Sequence, residues 1–247
     1  MNYLTFRMFK TLSDFRITFL VCLLTFANLY TYAQFSAGVS AGVSINQPDK
    51  APGGAYSQYL PAGGFAAGFP FQYHLNDHWA LRAEPMLIRK NVSFQRTDAY
   101  SATWEKSFNS WVQLPVMVQY RAGFGRLDAF AHAGLFAGWW AAKTRKGAVP
   151  NIYDIAAGTD ANGQPASYFR MAKYTERNAF ESNKDNRFEY GALAGVGMSW
   201  QYRPGISLCL ECRYNQSFNS YEKQYMDDQL LRKNRTLAVM LGWMKEL

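Results

Sequence analysis

Apolar and polar residues alternate with a period of two over most of the chain after Gln34. From Phe35 to Ile45, for example, every second residue is apolar and the residues between them are serine or glycine. Such alternation is typical of a β-strand with one apolar face and one polar or small face. Eight segments of this kind predict eight strands, at residues 35–45, 63–75, 79–94, 107–121, 127–142, 187–202, 206–215 and 235–244.

The segments that connect these strands alternate between long and short. The long ones are residues 46–62, 95–105, 143–185 and 216–233, and the short ones are residues 76–78, 122–126 and 203–205. Membrane barrels sort their connections in this way, into short periplasmic turns and long extracellular loops. A sheet that crosses lipid must also close, because every backbone amide there needs a partner. The pattern therefore predicts an all-β fold, an eight-stranded antiparallel up-and-down transmembrane β-barrel.

The amino-acid composition indicates that strands, and not helices, would cross the membrane. Hydrophobic residues make up 49% of the chain and aromatic residues 17%, while the mean hydropathy is only −0.26. No run of about 18 apolar residues is present, which excludes a helical multi-span protein. The net charge of +8 comes from scattered Lys and Arg. Without a dense basic run, we expect no nucleic-acid partner.

The first 33 residues have the order of an export signal. Arg7, Lys10 and Arg16 precede the apolar run at residues 17–27, and Ala33 offers a small residue for cleavage. We therefore expect residues 1–33 to be a cleaved signal peptide and residues 34–247 to form one outer-membrane domain. An uncleaved anchor is the alternative, which the shortness of the apolar run disfavours.

The inward faces of the predicted strands combine glycines with charged residues. The small residues leave room for large partners across a narrow interior, which eight strands roughly fill with side chains. We expect a polar network of ion pairs that plugs this interior, built from Arg82, Glu84, Glu189, Glu211 and Arg213. A proton or ion pathway is the alternative function of these groups.

The positions of the cysteine and histidine residues do not predict a catalytic or metal-binding site. Cys209 and Cys212 are three residues apart on one predicted strand, so they face opposite sides and predict neither a metal clamp nor a disulfide. His132 faces inward, where it could serve as the base of a lipid-modifying enzyme that uses a His/Ser pair at the barrel rim. A packed, hydrogen-bonded histidine is the more common arrangement. We expect no catalytic residue, no cofactor and no metal.

Five segments in order resemble the PorT-like outer-membrane β-barrel proteins of Gram-negative bacteria. They are residues 81–90 (LRAEPMLIRK), 111–120 (WVQLPVMVQY), 134–139 (GLFAGW), 188–197 (FEYGALAGVG) and 208–214 (LCLECRY). The resemblance covers nearly all of residues 34–247. It implies the barrel fold and location in the outer membrane, and an accessory role in protein secretion as one specific variant. It implies no particular enzymatic activity.

Three functions follow from these observations. The preferred one is an integral outer-membrane protein with a structural or interaction role, whose extracellular loops contact lipopolysaccharide or a protein partner. The second is a membrane enzyme that modifies lipid at the barrel rim. The third is a secreted, soluble, lipocalin-like barrel, which requires the apolar strand faces to point inward.

Overall fold

A computed structural model describes residues 34–48, 57–97, 102–159, 161–177, 180–225, 227, 229 and 231–247. The predicted signal peptide, residues 1–33, lies outside the described residues. Every regular element in the described part of the chain is a β-strand. Nothing helical in that part is long and apolar enough to span a membrane.

The described residues form twelve strands in one antiparallel sheet. They are β1 (Phe35–Asn46), β2 (Ser57–Gly68), β3 (Phe71–His74), β4 (Trp79–Ala83), β5 (Met86–Arg89), β6 (Val92–Arg96), β7 (Trp104–Phe124), β8 (Leu127–Thr159), β9 (Pro165–Arg177), β10 (Phe188–Arg203), β11 (Ile206–Ser217) and β12 (Arg235–Glu246).

The strand pairings return to their starting point. β1 pairs with β12, and the sheet continues from β12 through β11, β10 and β8 to β7. β7 then pairs with β4, β5 and β6 in succession. These three pair with β3 and β2, which in turn pair with β1. The pairings thus form a ring, and a ring has an interior face and an exterior face.

Interruptions account for most of the difference between eight predicted strands and twelve observed ones. The predicted strand at residues 63–75 is divided at Phe69 and Pro70, and the one at residues 79–94 is divided at Pro85 and again at Lys90. Proline has no N–H group to donate to the ladder, and the strands are interrupted at Pro70 and Pro85. The interruption at Lys90 has a different cause. There, the Asn109 side-chain amide donates to the Lys90 carbonyl at 3.1 Å. The number of spans stays a prediction.

The prediction of a loop without regular structure at residues 143–185 is wrong for much of that segment. β8 continues to Thr159, and β9 returns beside it as a hairpin. The turn between them uses Gly163, whose φ of 81° favours glycine. Most residues of β9 are exposed on both faces of the strand, so neither face needs apolar residues. A strand that has no buried face shows no period-two signal in its sequence.

The two ends of the ring differ. Three short turns, at residues 75–78, 125–126 and 204–205, lie at one end, which we call the turn end. The first and last described strands also meet there, where the Leu247 amide donates to the Phe35 carbonyl at 2.8 Å. The β8–β9 hairpin extends from the opposite end, which we call the hairpin end.

The exterior face is apolar and the interior face holds the charged groups. Val112, Leu114, Val116 and Val118 on β7 are all exposed, Val116 to 52%, whereas Glu84 and Arg213 are 0% exposed. A soluble barrel requires the opposite arrangement. The structure therefore contradicts the lipocalin-like alternative.

Candidate functional site

Four of the five residues predicted for the interior network contact one another. Arg82 lies on β4, Glu84 directly after it, and Glu211 and Arg213 on β11. Arg82 contacts both carboxylates at 2.8 Å, and Arg213 contacts both at 2.6 Å. Two guanidinium groups and two carboxylates thus alternate in a cycle that carries no net charge. We call these four residues the interior network.

The sequence brings these four charges together through strand parity and small neighbours. Positions 82 and 84 share one side of their strand, as do positions 211 and 213. In β10, Gly197 pairs with Glu211 and Gly195 pairs with Arg213. The space beside these two glycines is filled by rings from β8, because a Cβ at Gly195 would meet the His132 ring and a Cβ at Gly197 would meet the Phe130 ring. His132 in turn contacts Glu211.

Further polar contacts hold the interior network in place. The Ser40 hydroxyl donates to Glu84 at 2.5 Å, and the His132 Nε2 lies 3.4 Å from Glu211 Oε1. Glu84 therefore accepts from one hydroxyl and two guanidinium groups. Buried charges that are fully partnered in this way avoid the cost of an unpaired ion.

Glu189, the fifth predicted residue, belongs to a different cluster. Its carboxylate contacts the Lys90 ammonium at 2.5 Å, and it accepts hydrogen bonds from Ser217 and Asn234. Lys90 also lies over the rings of Phe136 and Trp111, at 4.9 and 5.5 Å. The structure thus has two separate charged clusters, where one network was predicted.

Lys90 was missed by the sequence analysis although a signal for it exists. Residues 82, 84, 86, 88 and 90 share one strand parity, and Lys90 is the last of them. Its side chain is fully buried. Extending the inward face by one position would have predicted a buried lysine that needs an acidic partner.

Apolar side chains fill the rest of the interior. Met117, Phe136 and Leu193 form one buried cluster. Trp111 and Trp140 stack at 5.3 Å between ring centroids, with Ile88 in the same buried cluster. Charged and apolar groups together therefore close the interior between the two ends.

A cavity of about 490 Å³ lies at the turn end. Its lining is mostly polar and includes His74, Arg82, Gln119, Asp128 and Glu211. The interior network forms part of its inner wall. This arrangement is that of a hydrated vestibule closed by ion pairs.

Cys209, Cys212 and His132 lie on the strand faces that their sequence parity predicts. Cys209 is half-buried and Cys212 is exposed, and both are free thiols. His132 lies in the interior beside Glu211 and is almost fully buried. Neither of its ring nitrogens makes a hydrogen bond with the described residues, so it is packed but lacks the expected hydrogen bond. Within the described ranges, no three His, Cys, Asp or Glu side chains are grouped so that they could hold a metal ion.

Tyrosine and arginine side chains form a second polar cluster at the hairpin end. Arg232 makes a two-point ion pair with Glu222 and lies over the Tyr59 ring at 4.6 Å from its centroid. Burial raises the pKa of Tyr221. The pKa of Arg232 is raised because the nearby Tyr221 and Glu222 outweigh the effect of its burial.

Several solved outer-membrane proteins resemble this chain in structure. Neisserial surface protein A matches with a TM-score of 0.43 and 14% identity, over 87% of this chain and 97% of its own. The protein OprG of Pseudomonas aeruginosa matches with a TM-score of 0.43 and 10% identity, over 85% and 94%. The Ail protein of Yersinia pestis matches with a TM-score of 0.39 and 13% identity, over 85% and 99%.

None of the curated proteins has a significant match to this chain. A family model does match. The model described as outer membrane protein beta-barrel domain covers residues 26–222, which is more than half of the chain. The chain therefore belongs to the outer-membrane β-barrel protein family.

Proposed function

We propose that this protein is an eight-span outer-membrane barrel with a sealed interior, that its role is structural or interaction-based, and that it is not an enzyme. In this proposal β2 and β3 form one span, and β4, β5 and β6 form another. β9 belongs to an extracellular hairpin. The turn end faces the periplasm, and residues 1–33 are removed as a signal peptide after export.

One observation carries the proposal, namely the apolar exterior beside a charged interior. Val43 on β1, Leu135 on β8 and Leu241 on β12 are each at least 60% exposed. On β1 the apolar face runs from Phe35 to Ile45, a length suited to a tilted transmembrane strand. An apolar surface that surrounds the whole ring would be a liability in water and is suited to lipid.

The alternative of a rim-located lipid-modifying enzyme has less support. It needs a base that reaches lipid, whereas His132 is buried beside the interior network. We therefore expect His132→Ala to fold as the wild type does and to leave the lipid composition of the host membrane unchanged. Loss of a lipid-modifying activity in a variant that still folds would favour the enzyme. An accessory role in secretion, as in the PorT-like proteins, rests on the five sequence segments that resemble that family.

Fractionation of cells that express the full chain tests the membrane assignment. We expect the protein in the outer membrane, released only by detergent, with faster gel migration before heating than after it. An N-terminal sequence that begins at Gln34 would support the predicted cleavage. Recovery from the periplasmic supernatant without detergent would refute the proposal.

Binding partners are proposed to engage the hairpin end. The β8–β9 hairpin extends beyond the apolar exterior, and Tyr153 on it is almost fully exposed. Exposed loops on a rigid scaffold commonly carry recognition. Lipopolysaccharide and a protein partner are the two candidates that this exposed surface could contact.

A further inference from the structure

A second cavity, of about 390 Å³, lies at the hairpin end. Its volume is in the range of small-ligand sites. The stacked Trp111 and Trp140 separate it from the interior network. Its lining includes five aromatic residues, Tyr59, Phe94, Trp140, Tyr221 and Tyr225.

Charged side chains in the cavity wall are already matched to one another. The lining contains four cationic and four anionic residues, and each cation has an ion-pair partner in the same lining. These pairs are Arg232 with Glu222, Lys143 with Asp185 at 3.0 Å, Lys184 with Glu181 at 2.6 Å, and Arg145 with Glu105 at 3.7 Å. The lining therefore carries no net formal charge, which favours a neutral ligand over a charged one.

Aromatic rings line both the floor and the outer part of the cavity. Trp140 is buried at the floor, with Tyr221 edge-on at 5.9 Å. Tyr59 and Phe94 pack at 5.2 Å. The Lys184 ammonium lies 5.7 Å from the Tyr225 ring centroid, but Tyr225 is still 46% exposed, so the part of the ring that Lys184 leaves uncovered is available for contact. Rings of this kind bind flat, weakly apolar surfaces while their polar ends stay hydrated.

Two polar side chains of the lining have hydrogen-bonding capacity to spare. Asn109 donates through Nδ2 to the Lys90 carbonyl, while its buried Oδ1 has no partner among the described residues. The Nε of Arg145, although 3.7 Å from Glu105 Oε1, is too far from it for a hydrogen bond and makes none within the described ranges. One acceptor and one donor remain, and a hydroxyl group can complement either.

We propose that this cavity binds one or two pyranose rings of a neutral glycan. The weakly apolar face of a sugar ring fits Tyr225 and Phe94, and its hydroxyls fit Glu105, Arg145 and Asn109. The Tyr59 ring instead supports Phe94, because the Arg232 guanidinium already lies over it. The inference rests on the proposed function in one respect: the hairpin end must face the outside of the cell, where glycans occur.

The test uses the full chain purified in detergent, with faster gel migration before heating as proof of a folded barrel. The probes are maltotriose, cellotriose and chitotriose, measured by calorimetry and saturation-transfer NMR, with glucose 6-phosphate as the charged probe. We expect at least one neutral trisaccharide to bind more tightly than the phosphate. Binding of none of the three, or tighter binding of the phosphate, overturns the inference.

A pair of tyrosine variants locates the binding site. Tyr225→Ala removes an exposed ring from the cavity lining, so we expect about tenfold weaker binding of the sugar. Tyr120→Ala removes a similarly exposed tyrosine at the turn end, outside the lining, and is expected to leave binding unchanged. Equal effects of the two variants would overturn the assignment to this cavity.

The glycan could be free or attached to lipid, and a second pair of probes separates these sources. Micelles of lipopolysaccharide that bears core sugars are compared with micelles of lipid A alone. Competition between core-bearing micelles and the free trisaccharide indicates a lipid-linked glycan, and binding of the trisaccharide alone indicates a free one. Equal binding of lipid A overturns the inference. Failure of the chain to migrate as a barrel would instead refute the proposed function.

Discussion

Burial of charge is the dominant feature at the scale of single residues. Removing an isolated ion from water costs several kcal/mol even after relaxation, on the order of the stability of a whole domain. Glu84 offsets this cost by accepting from Arg82, Arg213 and Ser40. The same partners fix the positions of the side chains in the middle of the barrel. The interior network therefore fills space as well as balancing charge.

Glu84→Gln tests this interpretation. The substitution leaves two buried guanidinium groups to share Glu211, so we expect the free energy of unfolding to fall by about 3–5 kcal/mol. Urea unfolding in lipid vesicles measures the change. The control is Asp154→Asn, which alters an exposed pair with Arg170 and should change stability by less than about 0.5 kcal/mol. A similarly small effect of Glu84→Gln would show that the network is hydrated.

Tyr174, on the hairpin, gives a prediction on pH. Burial and its hydrogen bond to Glu105 raise the pKa of Tyr174 from 10.0 to about 12. Because the folded pKa exceeds the unfolded one, the stabilisation is complete below pH 10 and is lost as the pH rises through 12. The difference in phenolate absorbance between wild type and Tyr174→Phe should have its midpoint near 12.

Glu105→Gln is the control for that titration. It removes the carboxylate that accepts from the Tyr174 hydroxyl at 2.8 Å, and with it the charge that disfavours the phenolate. The Tyr174 midpoint should then move down toward 10.0. An unchanged midpoint would mean that Glu105 does not contact Tyr174 in solution.

Close contact between neighbouring strands is the dominant feature at the scale of the elements. Gly134 on β8 pairs with Met117 on β7 and Leu193 on β10. An ideal Cβ at Gly134 would lie 2.0 Å from the Val116 carbonyl oxygen and 2.7 Å from the Met117 Cα. Both are backbone atoms, so a side chain there requires β7 and β8 to move relative to each other.

We therefore expect Gly134→Ala to destabilise the sheet by about 1–3 kcal/mol, the usual cost of overpacking. Gly63→Ala on β2 is the matched control, because a Cβ at Gly63 meets nothing within 4 Å. That control should be neutral or slightly stabilising, since alanine restricts the unfolded chain. Urea midpoints in the same vesicles compare the two, and equal midpoints would contradict the close contact.

Which elements could be predicted depends on what each strand face contacts. On β7, β10 and β11 one face is apolar and exposed and the other is buried, so the period of two is strong and the predicted strands agree with the observed ones. β9 is exposed along most of its length, so its sequence shows no such alternation. The charged residues were predicted from parity alone. The register set by the short turn between β10 and β11 pairs Glu211 with Gly197, which leaves Glu189 eight positions farther from the turn and in a separate cluster.

At the scale of the whole molecule, the apolar exterior and the charged interior are suited to different surroundings. The exterior carries exposed apolar residues on β1, β7, β8, β10, β11 and β12, and the interior holds ions that lipid could not solvate. The hairpin end continues beyond this apolar exterior with lysine, arginine and tyrosine side chains. A barrel embedded in a membrane with one end in water has this distribution.

Val116→Arg tests the distribution directly. Val116 lies midway along the apolar face of β7, between Val112 and Tyr120, so arginine there would enter the middle of the hydrocarbon. The expected loss of folding free energy in phosphatidylcholine vesicles is about 2–4 kcal/mol, the cost of this residue near the bilayer midplane.

Ile155→Arg supplies the comparison for Val116→Arg, since Ile155 is at least as exposed but lies on the hairpin. Arginine there stays in water and should change stability by less than about 0.5 kcal/mol. Because both changes replace an exposed aliphatic side chain, any difference between them measures the solvent around each position. If Val116→Arg cost no more than Ile155→Arg, the exterior of β7 would face water, and the membrane assignment would fail with it.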